Sequence, residues 1–193
     1  MNRTTMLVVC ALAFALCTGS ALAETQGPPP TDTLKVDYFA NANTAGAPDA
    51  TVRVTDPNTN GGNICASIFV FDANQEMSEC CSCLQTPDGL QTFSVNANLT
   101  NNPLTGVILS GGLIKIVSTT TVAGVCPLPT TFTPIAAVRA WATHIQNSNY
   151  SITETASQDA TLSSAEVGRL ETECSAIKTD GSGSGVCSCG SGE

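Results

Sequence analysis

Hydrophobic and polar residues alternate along several short stretches of this chain, which is the pattern of β-strands with one buried face. One further stretch, ICASIFVF at 64–71, is apolar at nearly every position and predicts a strand buried on both faces. Runs of turn-forming residues, such as DPNTNGGN at 56–63, separate the stretches. The other stretches interpreted as strands or extended arms are TLKVDYFA (33–40), TVRVT (51–55), CCSCLQT (80–86), LQTFSVNANL (90–99), LIKIVSTTTV (113–122), IAAVRAWATHIQ (135–146) and SITETASQDATLS (151–163).

One helical pattern follows these strands. Ser163 or Ser164 provides an N-cap, and Glu166 lies at capping-box distance from Ser163. We therefore predict a mainly β fold, an immunoglobulin-like β-sandwich, with one C-terminal helix over about 163–177. The apolar residues expected on the buried face of this helix are Val167, Leu170, Cys174 and Ile177.

The first 23 residues have the features of a secretory signal peptide. Arg3 precedes an apolar run from Met6 to about Cys17, and the sequence ALA at 21–23 is an A-x-A cleavage site. The apolar run is shorter than the ~20 residues that span a bilayer. We therefore expect cleavage after residue 23, a secreted protein in an extracellular or periplasmic location, and no membrane insertion of the mature chain.

The mature chain has the length of one domain. We expect a Pro-rich lead with a candidate N-terminal strand arm at 24–50, followed by a single β-sandwich domain at 51–193. The whole chain carries 16 acidic and 7 basic side chains, and its net charge of −9 becomes −10 when Arg3 leaves with the leader. Nucleic acids and anionic lipids attract positive charge, so we do not expect them as partners.

Eight cysteines remain after the leader. An even number in an exported chain favours disulfides, because that compartment is oxidising. Side chains alternate along a strand, so Cys81 and Cys83 share one face, Cys80 points to the other, and Cys187 and Cys189 also share a face. Two C-S-C segments lying side by side would form a double staple that ties the C-terminal tail to the middle of the chain. The eight expected disulfide cysteines are Cys65, Cys80, Cys81, Cys83, Cys126, Cys174, Cys187 and Cys189.

Metal and redox chemistry are weaker interpretations of this cluster. Cys80 and Cys83 have the C-x-x-C spacing of zinc and thiol–disulfide sites, but the C-terminal pair is C-x-C. No βαβ pattern follows the cluster, and the chain has a single histidine. We therefore expect no metal and no cofactor.

A short acidic segment is the one calcium candidate. Asp72, Asn74 and Glu76 repeat the opening of a calcium-binding loop, and Glu79 is nearby. The loop glycine and the final bidentate glutamate of that motif are replaced, so the site would be weak. The alternative is an acidic loop in solvent.

The sequence offers little for catalysis. A Ser-His-Asp site would have to use His144, because it is the only histidine, and neither G-x-S-x-G nor H-E-x-x-H occurs. One tryptophan and two tyrosines give few aromatic surfaces for stacking on sugars. We expect no catalytic residues and interpret His144 as structural or exposed.

Five segments, VFDANQEMSECCSCLQTPDGL, NPLTGV, IKIVS, RAWATHIQ and GSGSGVCSCG, resemble an uncharacterised family of secreted, cysteine-rich bacterial proteins. The resemblance extends from about Val52 to Gly190. It implies export and a shared cysteine pattern, and it carries over no catalytic residue.

These observations favour a noncatalytic extracellular module, structural or adhesive, whose partners are copies of itself or components of the cell surface. One alternative is a subunit of a surface fibre, in which TLKVDYFA adds as a strand to the sheet edge of a neighbouring subunit. Another alternative is a small secreted hydrolase or calcium-dependent binder.

Overall fold

A computed structural model describes residues 33–192. The predicted signal peptide and residues 24–32 of the Pro-rich lead lie outside the described residues. The described elements are β1 Leu34–Ala40, β2 Thr51–Thr55, β3 Ile64–Asp72, β4 Met77–Gln85, β5 Leu90–Ser94, a π-helical turn Val95–Leu99, β6 Gly111–Thr120, β7 Arg139–Gln146, β8 Ser151–Ala156, β9 Gln158–Ala160, helix α1 Ser164–Asp180 and β10 Ser191–Gly192.

Within residues 33–192 the strands form two five-stranded antiparallel sheets. Sheet A has the order β4-β3-β6-β1-β9, and sheet B has the order β10-β5-β2-β7-β8. Buried side chains of both sheets, such as Ile68 and Ile114 of sheet A and Val52 and Phe93 of sheet B, form one hydrophobic core. The predicted mainly β fold with two packed sheets is therefore confirmed.

Helix α1 covers the other face of sheet A. Its buried residues Leu170 and Ile177 belong to a second hydrophobic core with Phe69 and Val117 of the sheet. The Ser163 hydroxyl accepts a hydrogen bond from the N–H of Glu166 at 3.1 Å and caps the helix. The predicted helix and its cap are confirmed, and the molecule is layered as helix, sheet A and sheet B.

Coverage on both sides explains strand β3. Ile68 and Val70 face sheet B, whereas Phe69 and Phe71 face α1, so eight of its nine residues are buried. The apolar run predicted this double burial correctly.

Strand β1 lies inside sheet A, between β6 and β9. It pairs with β6 along its whole length, from Leu34 opposite Val117 to Ala40 opposite Gly111. The predicted strand is confirmed, and this part of the candidate strand arm at 24–50 pairs within sheet A.

The two edges of the sandwich are connected in different ways. On one side, β8 pairs with β7 in sheet B and β9 pairs with β1 in sheet A. Only Ser157 separates β8 from β9, so the chain crosses from one sheet to the other at this residue. On the opposite side, the C-terminal tail connects the two sheets.

The strand predicted at 90–99 is only half correct. Strand β5 ends at Ser94, and a single π-helical turn follows. The Ser94 hydroxyl accepts from the N–H of Ala97 at 2.7 Å, and the Asn98 side chain accepts from the N–H of Ser94 at 2.8 Å. These local bonds replace strand pairing, as serine and asparagine side chains often do.

The immunoglobulin-like form of the sandwich stays a prediction. An inter-sheet bond in that pattern would join Cys126 to Cys174 around a buried Trp141. In this structure Cys126 bonds Cys65, Cys174 bonds Cys80, and Trp141 is partly exposed.

Candidate functional site

All eight expected cysteines are paired. The bonds are Cys65–Cys126, Cys80–Cys174, Cys81–Cys187 and Cys83–Cys189. The last two form the double staple that the alternation of side chains predicted, with Cα atoms 5.2 and 5.6 Å apart. Cys80 points to the other side of β4, as predicted, and its bond to Cys174, a pairing that the sequence left open, anchors α1. The cluster therefore crosslinks the fold, and none of its sulfurs is a free thiolate for catalysis.

The C-terminal tail connects the exposed edges of the two sheets. The N–H of Cys80 donates to the carbonyl of Gly185 at 2.8 Å, and its carbonyl accepts from the N–H of Cys187 at 3.3 Å. Beyond the disulfides, the Gln91 amide donates to the carbonyl of Gly190 at 2.8 Å, and β10 pairs with β5. The tail thus covers strand edges that would otherwise be open to pairing with other chains.

A buried carboxyl group lies at the base of this tail. Glu79 of β4 is 0 % exposed, and its Oε1 accepts from the N–H of Asn102 at 2.9 Å. The Asn102 amide donates in turn to the carbonyls of Gly183 and Val186 at 2.9 and 3.1 Å. In the described part of the chain Oε2 has no hydrogen-bond partner. Burial raises the pKa of Glu79 to about 7, although the bond from Asn102 lowers it.

The calcium candidates do not converge. Asp72 Oδ1 accepts from the N–H groups of Asn74 and Glu76 at 2.8 and 2.9 Å, so this carboxylate closes the β3–β4 turn. The Glu79 carboxylate is bound at Asn102 instead. Among the described residues, no three His, Cys, Asp or Glu side chains are grouped closely enough to hold a metal ion.

His144 joins the two sheets through a buried polar cluster. Its ring is stacked on Tyr38 with centroids 4.2 Å apart, and the residue is 3 % exposed. Nδ1 lies 3.1 Å from the Tyr38 carbonyl, and Nε2 lies 2.9 Å from Thr155 Oγ1 and 3.3 Å from Asp37 Oδ1. The Ser157 hydroxyl donates to the other Asp37 oxygen at 2.7 Å. The cluster therefore connects β1 of sheet A with β7 and β8 of sheet B.

The geometry of this cluster differs from that of a catalytic triad. In a triad the carboxylate accepts from Nδ1–H, while Nε2 faces the hydroxyl. Here the Tyr38 carbonyl can only accept, so we assign the hydrogen to Nδ1, and Asp37 lies on the same side of the ring as Thr155. His144 thus has a structural environment, in agreement with the sequence interpretation.

We expect His144→Ala to lower the free energy of unfolding by about 2 kcal/mol, because the packing of the buried ring and its hydrogen bonds to the Tyr38 carbonyl and the Thr155 hydroxyl would be lost. Urea unfolding of the variant measures the loss. Thr153→Ala, at an exposed position of β8, is the control and should be nearly neutral. Equal stability of the two variants would contradict this structural role.

A second charged group fastens α1 to sheet A. Glu166 accepts from Lys115 Nζ at 2.5 Å and from Arg169 Nη2 at 3.2 Å, and both cations lie over the Phe71 ring, 5.0 and 4.8 Å from its centroid. Burial raises the pKa of Glu166, but hydrogen bonds from Arg169 and Lys115 outweigh it and lower the pKa overall. A half-open cavity of about 450 Å³ adjoins this group. The two cations that line this cavity, Lys115 and Arg169, are already paired with Glu166. We therefore infer that these charged residues hold α1 against sheet A.

The outer face of sheet B is the open surface of the fold. Val52 and Val54 of β2 and Ala140 and Ala142 of β7 point into the core, so the residues between them point outward. In the described part of the chain α1 packs on sheet A, and no helix packs on sheet B.

A tryptophan lies beside two arginines on this open face. Trp141 is directly opposite Arg53 of β2, and Arg139 is two residues before Trp141 on the same side of β7. Trp141 is 37 % exposed, and Arg139 is exposed. Arg53 Nη1 donates to Glu154 of β8 at 2.7 Å. We name this surface, formed by Arg53, Arg139, Trp141 and Glu154, the open-face patch.

Sequence reasoning found only part of this site. The alternation in β7 placed Arg139 and Trp141 on one side, but it could not show that Arg53 lies opposite, because that pairing joins residues 88 positions apart. A signal was nevertheless present, since the only tryptophan of the chain occurs two residues after an arginine in a strand.

Comparison of the chain with protein-family models, with curated proteins and with solved structures gave no match. Among residues 33–192, no helix combines the length and the apolar character needed to cross a membrane.

Proposed function

We propose that this chain is a secreted, noncatalytic extracellular module with an adhesive role, and that the open-face patch is its binding surface. The observation that carries the proposal is the position of Trp141, which is partly exposed beside two arginines on the side of sheet B that α1 does not cover. Exposed tryptophan and arginine are the residue types most enriched in the energetic centres of binding surfaces. The single imidazole, by contrast, is bound within the fold.

Export is supported by the disulfides and by the N-terminal sequence. Four disulfides are typical of proteins that fold outside the reducing cytosol. The likeness to secreted, cysteine-rich bacterial proteins and the extracellular or periplasmic location belong to the same proposal. An adhesive protein in that environment benefits from crosslinks, since they keep the unfolded state rare and proteases act on unfolded chains.

The two alternatives gain less support. Fibre assembly by strand addition would have to draw β1 from its place between β6 and β9, where Leu34 and Phe39 are buried in the two cores. A hydrolase would need His144 to leave its partners. A calcium-dependent binder would need Asp72 to exchange the two backbone bonds that close its turn.

We expect Trp141→Ala to weaken binding to the protein's extracellular target at least tenfold, about 1.4 kcal/mol, because an exposed indole in the middle of the patch supplies most of its contact area. The measurement is binding of purified protein to a panel of immobilised cell-wall and matrix polymers, with a hydrolase panel run in parallel.

The matched control is Val107→Ala, which truncates an exposed apolar side chain outside sheet B. It should bind like the unaltered protein, and both variants should show a cooperative melting transition, although Trp141→Ala also loses the packing of the covered part of the indole. Equal binding of Trp141→Ala to every polymer, or turnover that disappears in His144→Ala, would contradict the proposed function.

A further inference from the structure

We propose that the open-face patch binds a carbohydrate that carries isolated carboxylate groups, such as chains of uronic acid residues. The inference rests on the proposed function and adds the class of ligand.

The arginines favour a carboxylate. The planar guanidinium group donates two parallel hydrogen bonds to a carboxylate, and such bidentate pairs are the strong and directional kind. Arg139 is exposed, and its Nη1 donates to the Val138 carbonyl at 3.1 Å; within the described residues it has no acidic partner. Its guanidinium is therefore available to an anion from solvent.

Arg53 can bind a ligand carboxylate by exchanging its present partner, Glu154. Its bond to Glu154 is an ion pair at the surface, with side chains 33 % and 45 % exposed. Exposed pairs of this kind contribute little, because water and salt compete for both partners. An incoming carboxylate on Arg53 therefore displaces a weak partner rather than a buried one.

The register of β2 and β7 determines how far apart the residues of the patch lie. Residues directly opposite each other in an antiparallel pair have Cβ atoms about 5 Å apart, and diagonal residues are about 7–8 Å apart. Trp141 and Arg53 are directly opposite, while Arg139, opposite Thr55, is diagonal to Arg53. The two cations thus both adjoin the indole, Arg53 across the strand pair and Arg139 along β7, over a width of roughly one sugar ring.

The indole and the hydroxyl groups around it favour a sugar over other carboxylates. An indole offers a flat apolar surface and an N–H donor, which suits the apolar face and polar rim of a pyranose ring. Hydroxyl side chains lie near the indole on the same face of the sheet, from Thr51, Thr55 and Thr143; those of Thr55 and Thr143 also donate to backbone carbonyls of the fold. A flat sheet without a deep cavity fits a chain that lies across the surface.

The charge of the whole chain indicates how densely charged a ligand can be and still bind. With a net charge of −9, the protein repels densely charged polyanions at long range. Isolated carboxylates, one on each sugar, experience mainly the local field of Arg53 and Arg139. Sulfated polymers and nucleic acids are therefore disfavoured.

The test compares oligogalacturonate with its methyl ester of the same length, by isothermal titration calorimetry. The ester retains the sugar rings and removes the charge. We expect esterification to weaken binding at least tenfold, Arg139→Gln to weaken binding of the acid by about tenfold, and Arg139→Gln to leave binding of the ester unchanged. Lys178→Gln, an exposed cation on α1, is the control and should bind like the unaltered protein.

The outcomes separate this inference from the proposed function. Equal binding of acid and ester that disappears in Trp141→Ala would overturn the preference for acidic sugars and leave the adhesive module standing. Tighter binding of heparin or duplex DNA would overturn it in favour of dense polyanions. If Trp141→Ala changes binding to none of the polymers, both this inference and the proposed function are overturned. Melting curves of each variant verify that it is folded.

Discussion

Removing both tail disulfides should lower the free energy of unfolding by about 3 kcal/mol, whereas removing either one alone should cost about 1 kcal/mol or less. The reason is the order in which the bonds close loops. Cys80–Cys174 already ties the C-terminal half of α1 to β4, so the first tail bond closes only the roughly 13 residues between 174 and 187. A loop of about 15 residues corresponds to about 3 kcal/mol of chain entropy in the unfolded state.

The second tail bond adds little chain entropy. Once Cys81–Cys187 is formed, Cys83 and Cys189 are held two residues away on both chains, so their bond closes a very small loop. The two bonds should therefore be strongly non-additive. The measurement is urea unfolding of three variants. One replaces Cys81 and Cys187 by alanine, one replaces Cys83 and Cys189, and one replaces all four. Costs that simply add, with each bond worth half the total, would contradict the interpretation of the two bonds as one staple.

The stability of this protein should fall as the pH rises from about 4.5 to about 7, and the group responsible is Glu79. The unfolded chain releases this proton near the ordinary pKa of glutamate, whereas the folded chain keeps it until about pH 7. The folded state binds more protons between these values, so raising the pH favours unfolding there. The contribution is at most about 3 kcal/mol, is fully present below the unfolded pKa, and is lost above pH 7.

Glu79→Gln isolates this effect. The amide keeps the shape and the bond from Asn102 but cannot ionise, so the difference in stability between the two proteins should change across this pH window and level off outside it. Glu76→Gln, in the exposed turn of the same hairpin, is the matched control and should leave the pH profile of the parent protein intact. A Glu79→Gln profile parallel to that of the unaltered protein would contradict a buried titrating group at the base of the tail.

Local patterns in the sequence predicted the elements well. The capped helix after Ser163 and the double burial of β3 depend on residues close together in the chain. Alternation also places Cys81 and Cys83 on one face in any extended conformation, which made the double staple possible, but the pairing itself depends on the tail lying beside β4.

Features that depend on long-range pairing could not be predicted in the same way. Lys35 and Asp37 look like the solvent side of β1, yet both are buried, because α1 covers one face of sheet A and sheet B covers the other. Glu79 resembles a surface carboxyl until the tail and the loop at Asn102 cover it. The open-face patch likewise exists only through the register between β2 and β7.

The scaffold and the proposed binding surface have separate roles in this account. Disulfides, the His144 cluster and the Glu166 ion pairs hold the layers together away from the open face. Arg139 contributes little to that framework, since it is exposed on the outermost layer. Substitution at Arg139 should therefore change binding while leaving the unfolding transition nearly unchanged, whereas truncation of Trp141, which is 37 % exposed, should also remove some packing.

The fluorescence of Trp141 tests the central claim most directly, because the chain contains one tryptophan and it lies in the open-face patch. Oligogalacturonate is titrated into the protein while emission and quenching by iodide are recorded. We predict that emission changes with the same saturation curve as the calorimetric binding and that iodide quenching decreases, because the ligand covers the indole. Saturable binding with unchanged emission and unchanged quenching would place the ligand elsewhere and contradict the account.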